Sequence, residues 1–150
     1  MIFARENLDD IYDELLPLLE SHWKEIALNQ DKIKLNPDFN RYRMMQVSGA
    51  CRIYTARDEG VLVGYFVVLL SASLHYSDHV FANCDIIYIK PNARAGMNGA
   101  RLIKYVEKDL SDIGVSLLLI NTKAHAPFDR LLERLEYNMI ERIYSKYIGE

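Results

Sequence analysis

Cysteine is scarce in this chain of 150 residues, and no disulfide or metal-binding pattern is present. Its two cysteines, Cys51 and Cys84, lie inside apolar runs and form neither a C-x-x-C motif nor a Cys/His ligand set. We therefore expect free thiols in the reducing cytoplasm. His75 and His79 have four-residue spacing but no further ligands nearby, a pattern typical of a loop, so we predict no metal site.

Long hydrophobic runs and an excess of positive charge are also missing. The longest apolar run, residues 61–70, contains Gly64 and is far too short to span a bilayer, and the first residues do not resemble a signal peptide. The 18 Lys and Arg against 21 Asp and Glu leave no basic stripe for a phosphate backbone. We expect a soluble, cytoplasmic protein that binds neither membranes nor nucleic acid directly.

Hydrophobic residues make up 50% of the chain, enough for one substantial core, so we expect a single domain over residues 1–150. Pro17 is expected to kink or split the first helix, and the apolar strand at 115–120 is expected in mid-sheet. The pattern predicts an α/β fold with helices packed on a mixed sheet. In order, it predicts a strand at 2–4, helices at about 7–26 and 37–49, strands at 51–56, 61–70 and 80–89, a helix at 99–113, a strand at 115–120, a helix at 127–135 and a strand at 139–148.

The segment from Asp85 to Leu102 carries the clearest chemical signal. A strand enters a loop that holds Arg94, Gly96 and Gly99, and the chain leaves this loop as a helix. Free backbone N–H groups and the positive end of the helix dipole then converge on one point, which attracts a phosphate or pyrophosphate. The alternative is a tight strand-to-helix connection that needs glycine only for its turn.

In its surroundings, this segment resembles the GNAT (GCN5-related) N-acetyltransferase superfamily. The acetyl-CoA loop of that family reads Arg/Gln-x-x-Gly-x-Gly/Ala at the start of a helix after the fourth strand. Arg94 matches the first position and Gly99 the last, whereas Met97 stands where the inner glycine is usual and Gly96 lies one residue early. The resemblance therefore implies an acetyl-CoA site with one altered position.

The likeness extends over nearly the whole chain. Val61–Tyr65 is similar to the family's third strand and Leu131–Tyr137 to its Tyr-Glu-Lys-Leu-Gly-Phe segment, while Thr55–Gly60 and Leu74–Tyr76 resemble small phage and bacterial GNAT proteins. The implied fold is α/β, a mixed and mostly antiparallel sheet of about six to seven strands flanked by about four helices.

The resemblance also implies a reaction, the direct attack of a primary amine on the thioester of acetyl-CoA. Backbone N–H groups of the fourth strand would hold the thioester oxygen and the pantetheine arm. An asparagine at the end of the next strand, here Asn121, would contact the same arm. The implied cofactor residues are thus Ile87, Tyr88, Ile89, Arg94, Ala95, Gly96, Met97, Asn98, Gly99, Ala100 and Asn121.

Asp85 is the first candidate for the base that deprotonates the amine, because it lies where many family members place a carboxylate. Strand alternation places it on one face with Phe81, Asn83, Ile87 and Ile89. The alternative role is a strand carboxylate that accepts hydrogen bonds and orders the loop. His75, in the connection before this strand, is the second candidate.

The family commonly protonates the leaving thiolate with a tyrosine of the last helix, and in this chain Leu132 occupies that place. Tyr137 and Tyr144 are the candidate substitutes. With Met97, this departure keeps two other functions open, a catalytically silent acyl-CoA binding module and an interaction protein on the same fold.

The acceptor is expected to be an amine of a small molecule, a nucleotide-like group or a protein. A homodimer is plausible through the edge of the strand at 139–148.

Overall fold

Five strands and four α-helices make up the computed structural model, which describes residues 1–150. The elements alternate much as the hydrophobic pattern predicts. In chain order they are β1 (Ile2–Arg5), α1 (Leu8–Ile26), α2 (Phe39–Val47), β2 (Cys51–Asp58), β3 (Val61–Ala72), β4 (Val80–Ile89), a 3₁₀ turn (Pro91–Ala93), α3 (Asn98–Asp112), β5 (Leu117–Leu119) and α4 (Asp129–Arg134).

The strands form one sheet in the order β1-β2-β3-β4-β5. Every neighbouring pair is antiparallel except β4 and β5, which are parallel. The β2–β3 hairpin closes at Glu59 and Gly60, which both have positive φ (49° and 84°) as its two-residue turn requires. The mixed, mostly antiparallel sheet with four helices is confirmed, although five strands replace the six to seven expected.

Alternate residues of the sheet enter two cores, one on each face. Tyr65 and Val67 of β3 pack on the face covered by α1 and α2, whereas Phe66 and Val68 pack on the face covered by α3 and α4. All four of these side chains are buried. Burial on both faces explains why β3 reads as a continuous apolar run instead of alternating with polar residues.

Helix α1 is continuous through Pro17, so of the two expected effects, a kink or a split, the split does not occur. Pro17 lies on the solvent side of the helix, where water can satisfy the carbonyl that the missing N–H leaves free. The first N–H of α1, from Leu8, donates to the Gln46 side chain at 2.9 Å, and Gln46 also donates to the Glu6 carbonyl. None of the helices is both long enough and apolar enough to cross a membrane.

The C-terminal part of the chain departs most from expectation. β5 contains only three residues and lies at the sheet edge instead of in mid-sheet, with Leu117 exposed. Residues 139–148 form no strand, and Ile140, Ile143 and Tyr144 are exposed. A strand needs a neighbour with a matching ladder, and β5 provides a short one, so β-propensity alone does not place this segment in the sheet.

Candidate functional site

The loop from Lys90 to Met97 joins β4 to α3 and leaves a row of free donors. No backbone N–H from Ala95 to Ala100 donates to a backbone carbonyl, since the first such bond of α3 is from Arg101 to Met97. Gly96 and Met97 both have left-handed φ, 66° and 64°. Successive N–H groups in such a turn point into one concavity, which binds anions. We call the segment 94–100 the anion loop.

At two positions of the anion loop, 97 and 99, the backbone is placed where glycine fits better than other residues. Met97 adopts the left-handed conformation that side chains other than Gly, Asn and Asp rarely adopt. At Gly99 a Cβ atom would lie 3.1 Å from Cδ2 of Leu131 on α4, so this glycine also permits the close packing of α3 and α4. Gly99 therefore has a packing role that does not depend on a bound ligand.

β4 has an open edge beside this loop. Its parallel ladder with β5 covers only Phe81 to Asn83, whereas its ladder with β3 continues to Ile89. The N–H of Lys90 donates to the Val63 carbonyl of β3, and strand alternation then directs the N–H groups of Ile87 and Ile89 away from β3. The N–H of Tyr88 points toward β3 instead. Ile87 and Ile89 can therefore accept an added extended chain, whereas Tyr88 faces the site through its side chain.

A β-bulge lies at Asp85. Val67 of β3 pairs with Ile86 and Val68 pairs with Cys84, which leaves Asp85 as the extra residue. The alternation of side chains between the two faces of the sheet therefore shifts by one residue at Asp85. Ile86 packs in the core under α1 and α2, while Ile87 and Ile89 pack in the core under α3 and α4. The expectation that Asp85 shares a face with Ile87 and Ile89 is wrong, because the bulge places consecutive residues on one face.

Asp85 is exposed and is held by a tyrosine of α2. The Tyr42 hydroxyl donates a hydrogen bond to Oδ2 of Asp85. Burial and this contact raise the pKa of Tyr42, so the phenol stays protonated as the donor. Burial and the Asp85 charge also raise the pKa of the Cys51 thiol to about 11, which makes Cys51 an inert core thiol.

No protein-family model matches this sequence, and neither does any curated protein. Solved structures do match. Glucosamine-6-phosphate N-acetyltransferase from Arabidopsis thaliana is 11% identical, with a TM-score of 0.76 over 99% of this chain and 98% of that one. An aminoglycoside acetyltransferase from an uncultured soil metagenomic sample, in complex with sisomicin, is 13% identical, with a TM-score of 0.75 over 99% of this chain and 95% of that one.

A third structure is a predicted acetyltransferase with acetyl-CoA from Clostridium acetobutylicum. It is 6% identical, with a TM-score of 0.72 over 98% of this chain and 96% of that one. This chain has the GNAT fold. The likeness covers nearly the full length at low identity, so it establishes the fold, and the chemistry has to be argued from the residues of this chain.

On this GNAT fold, Arg94 contacts three groups. Its Nη2 donates to both carboxylate oxygens of Glu25 on α1, at 2.7 and 2.9 Å, and its Nε donates to the Ile89 carbonyl at 2.8 Å. The guanidinium also lies 5.5 Å from the centre of the Tyr88 ring. The sequence pattern identifies Arg94 but not Glu25, because the two are far apart in the chain.

His22 of α1 is a second residue near Arg94 that is not among the candidates predicted from the sequence. It continues the buried stripe of Leu15, Leu18 and Leu19, so a histidine at an apolar position was the available signal. Its Nδ1 lies 2.7 Å from the Tyr65 hydroxyl, and its ring stacks on Tyr88 at 4.7 Å. Burial, only partly offset by the nearby Glu25 carboxylate, lowers the pKa of His22 to about 4. His22 is therefore neutral at pH 7.

This burial predicts a specific loss of stability in acid. The His22 pKa is about 4 in the folded chain against 6.5 in the unfolded chain, so the unfolded state binds more protons between these values. The stabilising contribution of neutral His22 to the free energy of unfolding is therefore fully present above about pH 6.5, and it is lost as the pH drops toward 4. Between pH 6.5 and 5, urea unfolding should show a loss of about 1 kcal/mol that is absent in His22→Gln.

The matched control is His79→Gln. His79 is exposed and contacts Ser116, so this variant makes the same histidine-to-glutamine change without touching the buried site of His22. Equal slopes for the wild type and His22→Gln would show that His22 is not kept neutral by the fold.

The other predicted catalytic residues make contacts that do not include Asp85. Tyr137 donates to Glu107 of α3 at 2.7 Å, and burial with this bond raises its pKa. Tyr144 is 86% exposed, and the ring of His75 contacts Tyr76 in the exposed loop before β4. Leu132 is buried in the core under α3 and α4. The structure therefore joins Asp85 to Tyr42 and to none of the three other candidates through a hydrogen bond.

Asn121 follows β5 and lies against the middle of β4. Its backbone N–H contacts the Cys84 thiol, whose pKa burial raises to about 12 despite this contact. Cys84 is the first residue of β4 beyond the β5 ladder. Asn121 therefore borders the open edge of β4 where that edge begins.

Proposed function

We propose that this chain is an acetyl-CoA-dependent N-acetyltransferase. The observation that carries the proposal is the row of free backbone N–H groups from Ala95 to Ala100 at the N-terminus of α3. Such a row is a site for the pyrophosphate of a coenzyme. The GNAT fold of the chain, and a neighbour of the same fold described with acetyl-CoA, support that choice of ligand.

The open edge of β4 fits the remainder of the same molecule. Ile87 and Ile89 present N–H groups that the sheet does not use, and Asn121 lies beside the start of the edge. An extended pantetheine arm has amides that can pair with such groups as an added strand would. Arg94 and the rest of the anion loop, Ala95, Gly96, Met97, Asn98, Gly99 and Ala100, would hold the diphosphate.

Asp85 is the proposed base. An alkylammonium has a pKa of about 10 and must lose its proton before it can attack a thioester. The exposed carboxylate of Asp85 can take that proton directly or through water, while the Tyr42 hydroxyl fixes its orientation. The N–H groups of Ile87 and Ile89 would stabilise the negative charge that develops on the thioester oxygen. His75 remains the second candidate for the base.

The leaving thiolate has a pKa of about 8.5 and can depart with little help. Tyr137 and Tyr144 remain the proposed acids should one be used. The hydroxyl of Tyr137 donates to the Glu107 carboxylate, and burial together with this bond raises the pKa of Tyr137.

The acceptor is proposed to be a primary amine. Two neighbours are described as acting on an aminoglycoside and on glucosamine 6-phosphate, which both carry amines. A small molecule, a nucleotide-like group and a protein can each carry the primary amine that the proposed reaction requires. We propose that the reaction takes place in the cytoplasm.

A catalytically silent acyl-CoA binding module is the second candidate function. The buried Leu132 favours it, because a leucine there cannot supply a proton. Release of free thiol from acetyl-CoA over a panel of amines separates the two functions. Thiol release that depends on an amine supports the enzyme, and binding without release supports the silent module.

Arg94→Ala tests the anion loop. We expect acetyl-CoA to bind about tenfold more weakly in isothermal titration calorimetry, because a charge-assisted contact to a phosphate is lost. Arg43→Ala is the control, since Arg43 also forms an ion pair with a carboxylate of α1, that of Asp9, but lies outside the anion loop. An unchanged affinity in Arg94→Ala, with an unchanged melting temperature, would remove Arg94 from the site.

A further inference from the structure

The guanidinium of Arg94 is already paired with an oxyanion of the chain itself. Its Nη2 bonds both carboxylate oxygens of Glu25, and the two side chains are 45% and 34% exposed. Nε is used by the Ile89 carbonyl, so only Nη1 remains free of these contacts. A diphosphate brought to the anion loop would therefore meet a guanidinium whose charge is largely neutralised.

The place of Glu25 in α1 is not explained by the stability of that helix. Glu25 is the residue before Ile26, the last of α1, where the negative end of the helix dipole disfavours a carboxylate. Lys24 in the same turn has the favourable sign and pairs with Glu20. What compensates Glu25 is its contact with Arg94, the first residue of the anion loop.

We propose that Glu25 is an electrostatic latch on Arg94, which the diphosphate of coenzyme A must displace. This inference rests on the proposed function of the anion loop. Phosphate oxygens and a carboxylate compete for the same guanidinium donors of Arg94. Glu25 therefore lowers the affinity for coenzyme A, and it connects the end of α1 to the state of the cofactor site.

Glu25→Gln tests the latch by removing the charge while keeping the shape. Loss of a half-exposed competing ion pair should tighten the binding of coenzyme A about fivefold, measured by calorimetry at low ionic strength. Glu20→Gln is the matched control, because it removes the same charge from the same helix but breaks only a pair with Lys24. The control should leave the affinity within about twofold of the wild type.

A double-mutant cycle identifies the route of the effect. In an Arg94→Gln background the latch has no partner, so adding Glu25→Gln should leave the affinity unchanged. Unchanged or weaker binding in Glu25→Gln alone would overturn the latch and indicate that Glu25 positions Arg94. A gain that persists in the Arg94→Gln background would overturn it too, as a general charge effect. If the wild type does not bind coenzyme A, the proposed function fails; if it binds and Glu25→Gln does not tighten it, only the latch fails.

Discussion

Asp85→Asn should lower kcat for acetyl transfer by about 100-fold or more and leave the affinity for acetyl-CoA nearly unchanged. The asparagine keeps the size of the side chain and can still accept a hydrogen bond from Tyr42, but it cannot take a proton from an ammonium. The site of the change is the bulge in β4, which orients this side chain toward α2. Steady-state kinetics with an amine that the wild type accepts, together with calorimetry, measure the two quantities.

The split between kcat and the affinity for acetyl-CoA separates a lost base from a disturbed loop. A lost base lowers kcat alone, whereas a disturbed loop also weakens the binding of acetyl-CoA. Asp112→Asn is a control of the same chemistry, because Asp112 is exposed at the end of α3 and pairs only with Lys108. An Asp85→Asn enzyme with full kcat would transfer the role to His75 or to water.

Local sequence patterns predict most of the fold in this chain, and the reason is visible in the sheet. β4 begins and ends at the expected residues, Val80 and Ile89, since turn residues border it on both sides. The hairpin turn before Val61 is confirmed for the same reason. The strand expected at 139–148 is wrong because its pairing depends on a distant neighbour, and the sequence of a segment does not specify the length of that neighbour.

The candidate site likewise contains features set by local sequence and features that depend on distant parts of the chain. The anion loop is predicted from its glycines and Arg94, because a strand, a turn and a helix cap are all local. The partners of those residues come from other elements: Glu25 and His22 from α1, and Tyr42 from α2. The bulge at Asp85 is likewise a relation between two strands. The sequence therefore indicates candidate residues such as Arg94 and Asp85, whereas the residues that contact them come from distant segments of the chain.

Gly64→Val should lower the free energy of unfolding by about 2 to 3 kcal/mol and weaken acetyl-CoA binding as well. A Cβ atom at Gly64 would lie 2.7 Å from the Tyr88 carbonyl oxygen and 2.8 Å from Cγ1 of Ile89. The carbonyl is backbone within the β3–β4 ladder, so the strands must separate to admit the side chain. That movement would displace the part of β4 whose open edge faces the cofactor arm.

Two further variants, Gly64→Ala and Gly60→Asn, separate the effect of side-chain size from the effect of backbone conformation. Gly64→Ala should lie between the wild type and Gly64→Val in urea unfolding, because the conflict is one of space. At Gly60 the conditions are reversed: φ is 84° and no heavy atom lies within 4 Å of a Cβ, so Gly60→Asn should cost little, since asparagine tolerates this conformation. A Gly64→Val protein with wild-type stability would mean that β3 and β4 can separate at Tyr88 without cost. If a destabilised Gly64→Val protein binds acetyl-CoA with wild-type affinity, the open edge of β4 is not part of the cofactor site.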